Sequence, residues 1–328
     1  MSTPLLKIKN LNVSFLSQRQ RLHAVRNVEF ELHPGETLGI VGESGCGKSA
    51  TAKALVQLIP RHYADLSGEI WYADQNLASF SEKQMQKVRG KEIGMIFQDP
   101  MTSLNPTMRI GKQIVEGYLR HFPDVSWKSA WAYAIEMLHL VGIPNPEERM
   151  NEYPHTLSGG MRQRVMIAIA LACKPKLILA DEPTTALDVT IQAQILDLMK
   201  EIQRKTQTSI VLITHDLSVV AKCCDRVLVM YAGKIVESAT VDQLFANPQH
   251  PYTQRLLQAI PRLDKCKSEP LIPIEGTPPN LSLPLPGCGF CARCPAAMRI
   301  CVEQSPPLLH LKDGHYSACF KHDPRMSP

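Results

Sequence analysis

Chemistry in this chain is concentrated first in one run, GESGCGKS at positions 42–49. Gly42, Gly45 and Gly47 allow backbone N–H groups to close around an anion at the start of a helix. In that setting Lys48 reaches the β- and γ-phosphates of a nucleoside triphosphate, and Ser49 ligates its Mg²⁺. Glu43, Ser44 and Cys46 complete the loop, and Ala50 carries it into the helix. Cys46 has two readings: a thiol activated beside phosphate-binding amides, or a small inert filler.

A second set of groups lies further along. Asp181 closes the apolar run LILAD, and Glu182 follows it before Pro183. An acid in the first position suits the Mg²⁺ shell. One in the second can polarise an attacking water as general base. Gln98, at the end of another apolar run, could contact the metal or that water. His215, in ITHD, could contact the γ-phosphate. In LSGGMRQR at 157–164, Ser158, Gly159 and Gly160 precede an apolar helix, whose dipole makes a further anion site. One chain with a complete phosphate loop has no evident use for a second.

These residues need elements to hold them. Residues 8–15 and 25–32 alternate apolar and polar, as antiparallel edge strands do. Residues 37–41 form an apolar strand into the loop, and 48–58 read as the helix leaving it, the context a phosphate loop requires. Residues 68–72 and 93–98 read as strands. The segment 99–157 turns helical and irregular, with an amphipathic run at 128–141. Helix 160–172, strand 177–180, helix 191–205 and strands 209–214 and 226–231 follow. That alternation predicts a mainly parallel sheet covered on both faces. After residue 243 the chain becomes dense in Pro and Cys, which predicts a loop-rich appendage joined through residues 245–263. No internal repeat is visible, so one nucleotide-binding unit is expected.

Composition narrows the class. The 328 residues carry 36 Lys and Arg against 31 Asp and Glu, a net charge of +5, and 44% are hydrophobic. That describes a globular chain with no basic block dense enough for a nucleic-acid surface. The N-terminus lacks a signal-peptide core. The most apolar run, at 165–173, is about half the ~20 residues needed to cross a bilayer. A cytosolic chain that meets a membrane only through a partner is expected, and its ten cysteines are not read as a disulfide framework.

The phosphate loop, LSGGMRQR and LILADEP, in that order, resemble the ATPase subunits of the ATP-binding-cassette (ABC) family. MIFQDPMTSLNP at 95–106 and NPQHPYTQRLL at 247–257 resemble its oligopeptide/dipeptide importer branch. The resemblance implies a RecA-like P-loop α/β core with an antiparallel β edge and a helical subdomain at about 99–157. It places the ABC domain at 1–243 and a cysteine-containing extension at 244–328. It makes Gln98 the Q-loop glutamine, contacting Mg²⁺ with Ser49, His215 the switch histidine and Asp188 the D-loop aspartate. Phe15 would stack on adenine. The second anion site then acts in trans, with Ser158, Gly159 and Gly160 capping ATP held by another subunit. Implied partners are a second, different ATPase subunit in a heterodimer, two membrane-spanning permeases and, indirectly, an external peptide-binding protein. The chain would sit on the cytoplasmic face of the inner membrane. A nickel or other solute importer, an exporter subunit, and a soluble ABC protein acting on nucleic acid or ribosomes are the rival readings.

Cys288, Cys291, Cys294, Cys301 and Cys319 fall within 32 positions. As residues they allow inert packing, a zinc site or an iron–sulfur site. The peptide-importer pattern GC-x5-C-x6-C, with a distant fourth cysteine, selects Cys288, Cys294, Cys301 and Cys319. A [4Fe–4S] cluster is expected there, with zinc as the alternative. Cys173, Cys223 and Cys224 are expected to pack as small hydrophobes, and Cys266 fits no spacing.

Overall fold

The computed structural model describes residues 3–16, 20–185, 187–259 and 273–326. Cys266, and the joining segment beyond residue 259, lie outside the described residues. The chain divides into two compact units. One unites Met1–Leu32, Thr37–Ala78 and Thr214–Pro328. The other comprises His33–Glu36 and Ser79–Ile213.

In the first unit, strands Leu6–Leu16 and Arg21–Leu32 pair antiparallel, with Leu6 opposite Leu32 and Ile8 opposite Phe30. Their alternation works as expected: Leu6, Ile8, Leu11 and Val13 are buried, while Lys9 and Asn10 between them are exposed. Ala64–Tyr72 adds to the other edge of Leu6–Leu16. A second sheet holds Thr37–Val41, all five residues buried, parallel to Arg226–Tyr231. Beyond it the sheet is antiparallel. Ala232 (φ 48°) and Gly233 (φ 80°) turn the chain back in a two-residue hairpin, and Lys234–Thr240 returns beside its predecessor. Tyr316–Ser317 and Leu309–His310 continue that side. The parallel pattern expected from the helix–strand alternation therefore stops here, because a two-residue turn leaves no room for a crossover helix.

Residues after 243 share a core with these strands. Tyr252 and Phe290 pack on Tyr231 at ring-centroid distances of 4.5 and 5.3 Å. Glu237, fully buried, takes backbone N–H bonds from Gln249 (2.6 Å) and His250 (2.9 Å), and His315 Nε2 lies 2.8 Å away. A buried carboxylate is tolerable only when donors surround it in this way.

In the second unit, Ile93–Ile96, Leu177–Asp181 and Ser209–Thr214 form a parallel sheet of near-continuous buried apolar residues. Helix Gly159–Leu171 lies close on it: a Cβ on Gly94 would fall 2.6 Å from the Ala170 carbonyl oxygen. Helices Ile110–His121 and Trp127–Leu140 bury Ile110, Ile114 and Val115, and Ala130, Ala134, Met137 and Leu138, at helical spacing. Arg164 links this region, donating to the Val141 carbonyl (2.5 Å) and to Gln194 (3.0 Å).

Candidate functional site

The phosphate loop leaves the buried strand Thr37–Val41 and enters helix Lys48–Leu55. Two of its glycines are obligatory. Gly42 has φ 154°, and a Cβ there would lie 2.1 Å from the Met230 carbonyl oxygen. Gly47 has φ 105°, and a Cβ there would lie 2.2 Å from the Ala24 oxygen. Lys48 is buried, and its Nζ donates to the carbonyls of Gly42 (2.8 Å) and Glu43 (3.0 Å). The lysine thus ties the start of the loop to the helix that leaves it. Ser49 and Ala50 open the helix, half-buried. Cys46 is buried, and burial pushes its thiol up while the Lys48 charge opposes this. A thiol held neutral is a poor nucleophile, so the inert reading of Cys46 fits.

A cavity of about 340 Å³ opens beside the loop. Residues 43–46, Leu22, Tyr231, Ala232 and residues 278–281 line it. Phe15 is half-buried on the neighbouring strand, directly opposite Leu22. His215, in the same unit, is exposed just after the buried Thr214.

The acidic pair belongs to the second unit. Asp181 is buried at the end of its strand. Glu182 adopts φ 48°, the left-handed region, and its N–H donates to the Ile213 carbonyl (2.9 Å). Its Oε2 accepts from Gln98 Nε2 (3.1 Å) and from Thr185 Oγ1 (2.9 Å). The structure therefore brings Gln98 and Glu182 together, and it adds Thr185, which no sequence signal had marked. Two donors on one carboxylate fix its direction.

Ser158 is the N-cap of helix Gly159–Leu171, its hydroxyl accepting from the Met161 N–H (3.3 Å). Gly160 fits closely: a Cβ would lie 2.8 Å from Ile191 Cγ2. Asp188 is the N-cap of helix Val189–Thr206, accepting from the Ile191 N–H (2.9 Å). Cap geometry accounts for both side chains locally.

The metal expectation for the tail does not stand. Among the described residues, no group of three or more His, Cys, Asp or Glu could hold a metal ion. This overturns the [4Fe–4S] cluster on Cys288, Cys294, Cys301 and Cys319, and gives no support to zinc in its place. The physical reason is packing. Cys288 and Cys294 lie against the apolar cluster containing Tyr231, Tyr252 and Phe290, and Cys301 is buried. Burial raises the Cys288 thiol to about 11 and raises Cys291, Cys294 and Cys319 as well.

The phosphate loop has an unexpected neighbour. Arg293 grips the Glu43 carboxylate with both terminal nitrogens, at 2.7 and 3.1 Å, and the Glu43 N–H donates to the Tyr252 hydroxyl (2.9 Å). Nothing in the sequence connects positions 43 and 293, although Tyr252 lies in the NPQHPYTQRLL string.

Comparison with known proteins bears on this site as a whole. The ABC transporter family profile matches residues 25–185, and that of the oligopeptide/dipeptide transporter C-terminal region matches residues 236–301. The oligopeptide transport ATP-binding protein OppD of Bacillus subtilis is 56% identical over 96% of this chain and 88% of its own length. The chain belongs to the ATP-binding subunits of the oligopeptide/dipeptide ABC transporters. The dipeptide transport ATP-binding protein DppD of B. subtilis is 53% identical over 98% and 95%, and Escherichia coli OppD 50% over 97% and 93%. Among solved structures, a dimer of the ATP-binding cassette MJ0796 bound to ADP and Pi matches with TM-score 0.65 and 27% identity, over 72% of this chain and 98% of that one. CbiO1 of Clostridium perfringens matches with TM-score 0.64 at 27% identity, over 75% and 92%. The fold is thus the mixed α/β RecA-like ABC ATPase fold, and the chain is an ABC ATPase using ATP and Mg²⁺. The expected heterodimer is a correction as well. The names of the relatives give no support to an unlike second ATPase subunit. Among the described residues no helix is long and apolar enough to cross a membrane.

Proposed function

We propose that this chain hydrolyses ATP to drive import of oligopeptides or dipeptides across the cytoplasmic membrane, from a peripheral position on its cytoplasmic face. The observation that carries the reading is a phosphate loop with its lysine buried against the Gly42 and Glu43 carbonyls, followed, in one chain, by the C-terminal region matched to oligopeptide/dipeptide transporters. The names of the relatives support peptides over nickel or another solute.

On this reading the amides of residues 42–50 and Lys48 bind the triphosphate, and Phe15 stacks on adenine. Ser49 and Gln98, with Asp181 beside them in role, would hold Mg²⁺, whose charge offsets that of the phosphates. Glu182 takes the proton of the attacking water, held in direction by Gln98 and Thr185. His215 steadies the γ-phosphate. Ser158, Gly159 and Gly160 present amides to ATP on a second cassette, with Asp188 at that contact. Residues 1–243 act as the ABC domain and 244–328 as a small loop-rich extension. Two permease subunits receive the motion and an external binding protein delivers the peptide.

Replacing Glu182 with Gln tests the assignment in the reconstituted transporter. ATP binding should persist while turnover falls by about 10²–10⁴-fold and uptake of a labelled dipeptide stops. Undiminished hydrolysis would remove Glu182 from the role of base.

A further inference from the structure

The phosphate loop carries a carboxylate where a polyanion is to bind. Glu43 stands one residue after Gly42, and its charge is felt inside the loop: behind burial and the opposing influence of Lys48, it helps to push the Cys46 thiol up. A bare carboxylate there would repel phosphate. It is not bare. Arg293, 250 positions away, holds both Glu43 oxygens, and only 6% of its side chain is exposed. Its remaining donors go to the Tyr231 hydroxyl (3.1 Å), the Glu275 carbonyl (2.9 Å) and the Ile274 carbonyl (3.1 Å). All five guanidinium N–H groups are therefore used. The fork is fixed from the side of the C-terminal region, and the planar bidentate geometry is one a lysine cannot reproduce.

We infer that Arg293 is a positioning residue for nucleotide binding, neutralising Glu43 so that the phosphate loop accepts a triphosphate. Through it, the C-terminal region sets the affinity of the loop for ATP. The inference rests on the reading of residues 42–50 as the ATP-binding loop. It also gives the two partners opposite signs. Losing Arg293 leaves an uncompensated negative charge in the loop. Losing the charge of Glu43 leaves only a cation nearby, which a polyanion tolerates.

The test measures binding of a fluorescent ATP analogue with Mg²⁺ to the full-length chain, with unfolding midpoints alongside. Arg293→Ala should raise the dissociation constant about ten-fold, equivalent to about 1.4 kcal/mol. Glu43→Gln should bind as well as the parent or better, and the double variant E43Q/R293A should recover most of the loss. Arg293→Lys, which keeps the charge without the fork, should fall between. A purely structural role predicts loss in every variant, so failure of the double variant to recover overturns the inference. So does parental affinity in Arg293→Ala while Lys48→Ala abolishes binding. Undiminished binding by Lys48→Ala overturns the reading beneath it as well.

Discussion

Glu182 sits in a backbone region that costs a non-glycine residue on the order of 1 kcal/mol or more, and it does so at the end of a buried strand. Such strain persists when the surroundings over-determine it, and here the Ile213 carbonyl, Gln98 and Thr185 do so. Thr185 is the partner that can be removed without replacing Glu182, the proposed base. Thr185→Ala should leave ATP binding unchanged and lower hydrolysis by about ten-fold, the cost of a base less well aimed; single-turnover measurements on the reconstituted transporter would check this. The residue pattern made Lys48, Asp181 and Glu182 legible, because phosphate chemistry demands those types at those spacings. Thr185 and Arg293 carry no such signature. A threonine after DEPT and an arginine in a proline-rich tail acquire meaning only once the chain has folded them onto Glu182 and Glu43.

Among the elements, strands are the most legible, since burial on one face or both writes a period that survives in the sequence. The helix after the phosphate loop is shorter than its apolar pattern, ending at Leu55 rather than near residue 58. The tail is the least legible. Cysteine spacing suggested ligands, whereas the folded tail uses Cys288 and Cys294 as apolar surface against Tyr231, Tyr252 and Phe290. Helix Pro251–Gln258 begins at His250, whose Nδ1 accepts from the Tyr252 N–H (3.1 Å) and so must be unprotonated. Burial, then the charge of His322, push His250 down to about 3. The unfolded chain binds this proton near pH 6.5, the folded chain only near 3, so the stabilisation is complete above about 6.5 and is lost as pH falls toward 3. The acid limb of a stability–pH curve should steepen by up to about 1.4 kcal/mol per pH unit in that window. His250→Asn, which preserves a capping oxygen, should flatten it; an unchanged limb would show that His250 is not its source.

For the whole molecule, the family assignment makes this chain one component of a larger machine, and the LSGGMRQR segment at 157–164 is where that dependence can be measured. Ser158 already caps its own helix, so on the proposed reading enlarging it strikes the surface offered to a second cassette and leaves the phosphate loop untouched. Ser158→Arg should cut ATP hydrolysis by the assembled transporter at least ten-fold, on the order of 1.4 kcal/mol of lost stabilisation. Photolabelling of this chain by an ATP analogue should remain at the parental level. Loss of both together would indicate a misfolded helix instead of a broken contact.

The pairing of Leu38 with Arg226 also has a consequence in time. At about 5–20 residues per second, the strand that leads into the phosphate loop emerges from the ribosome roughly 10–40 s before its parallel neighbour exists. During that interval an apolar edge stands open, and the residues that will cradle nucleotide have no wall behind them. The binding loop is thus among the first parts of this protein to be synthesised and among the last that can take shape.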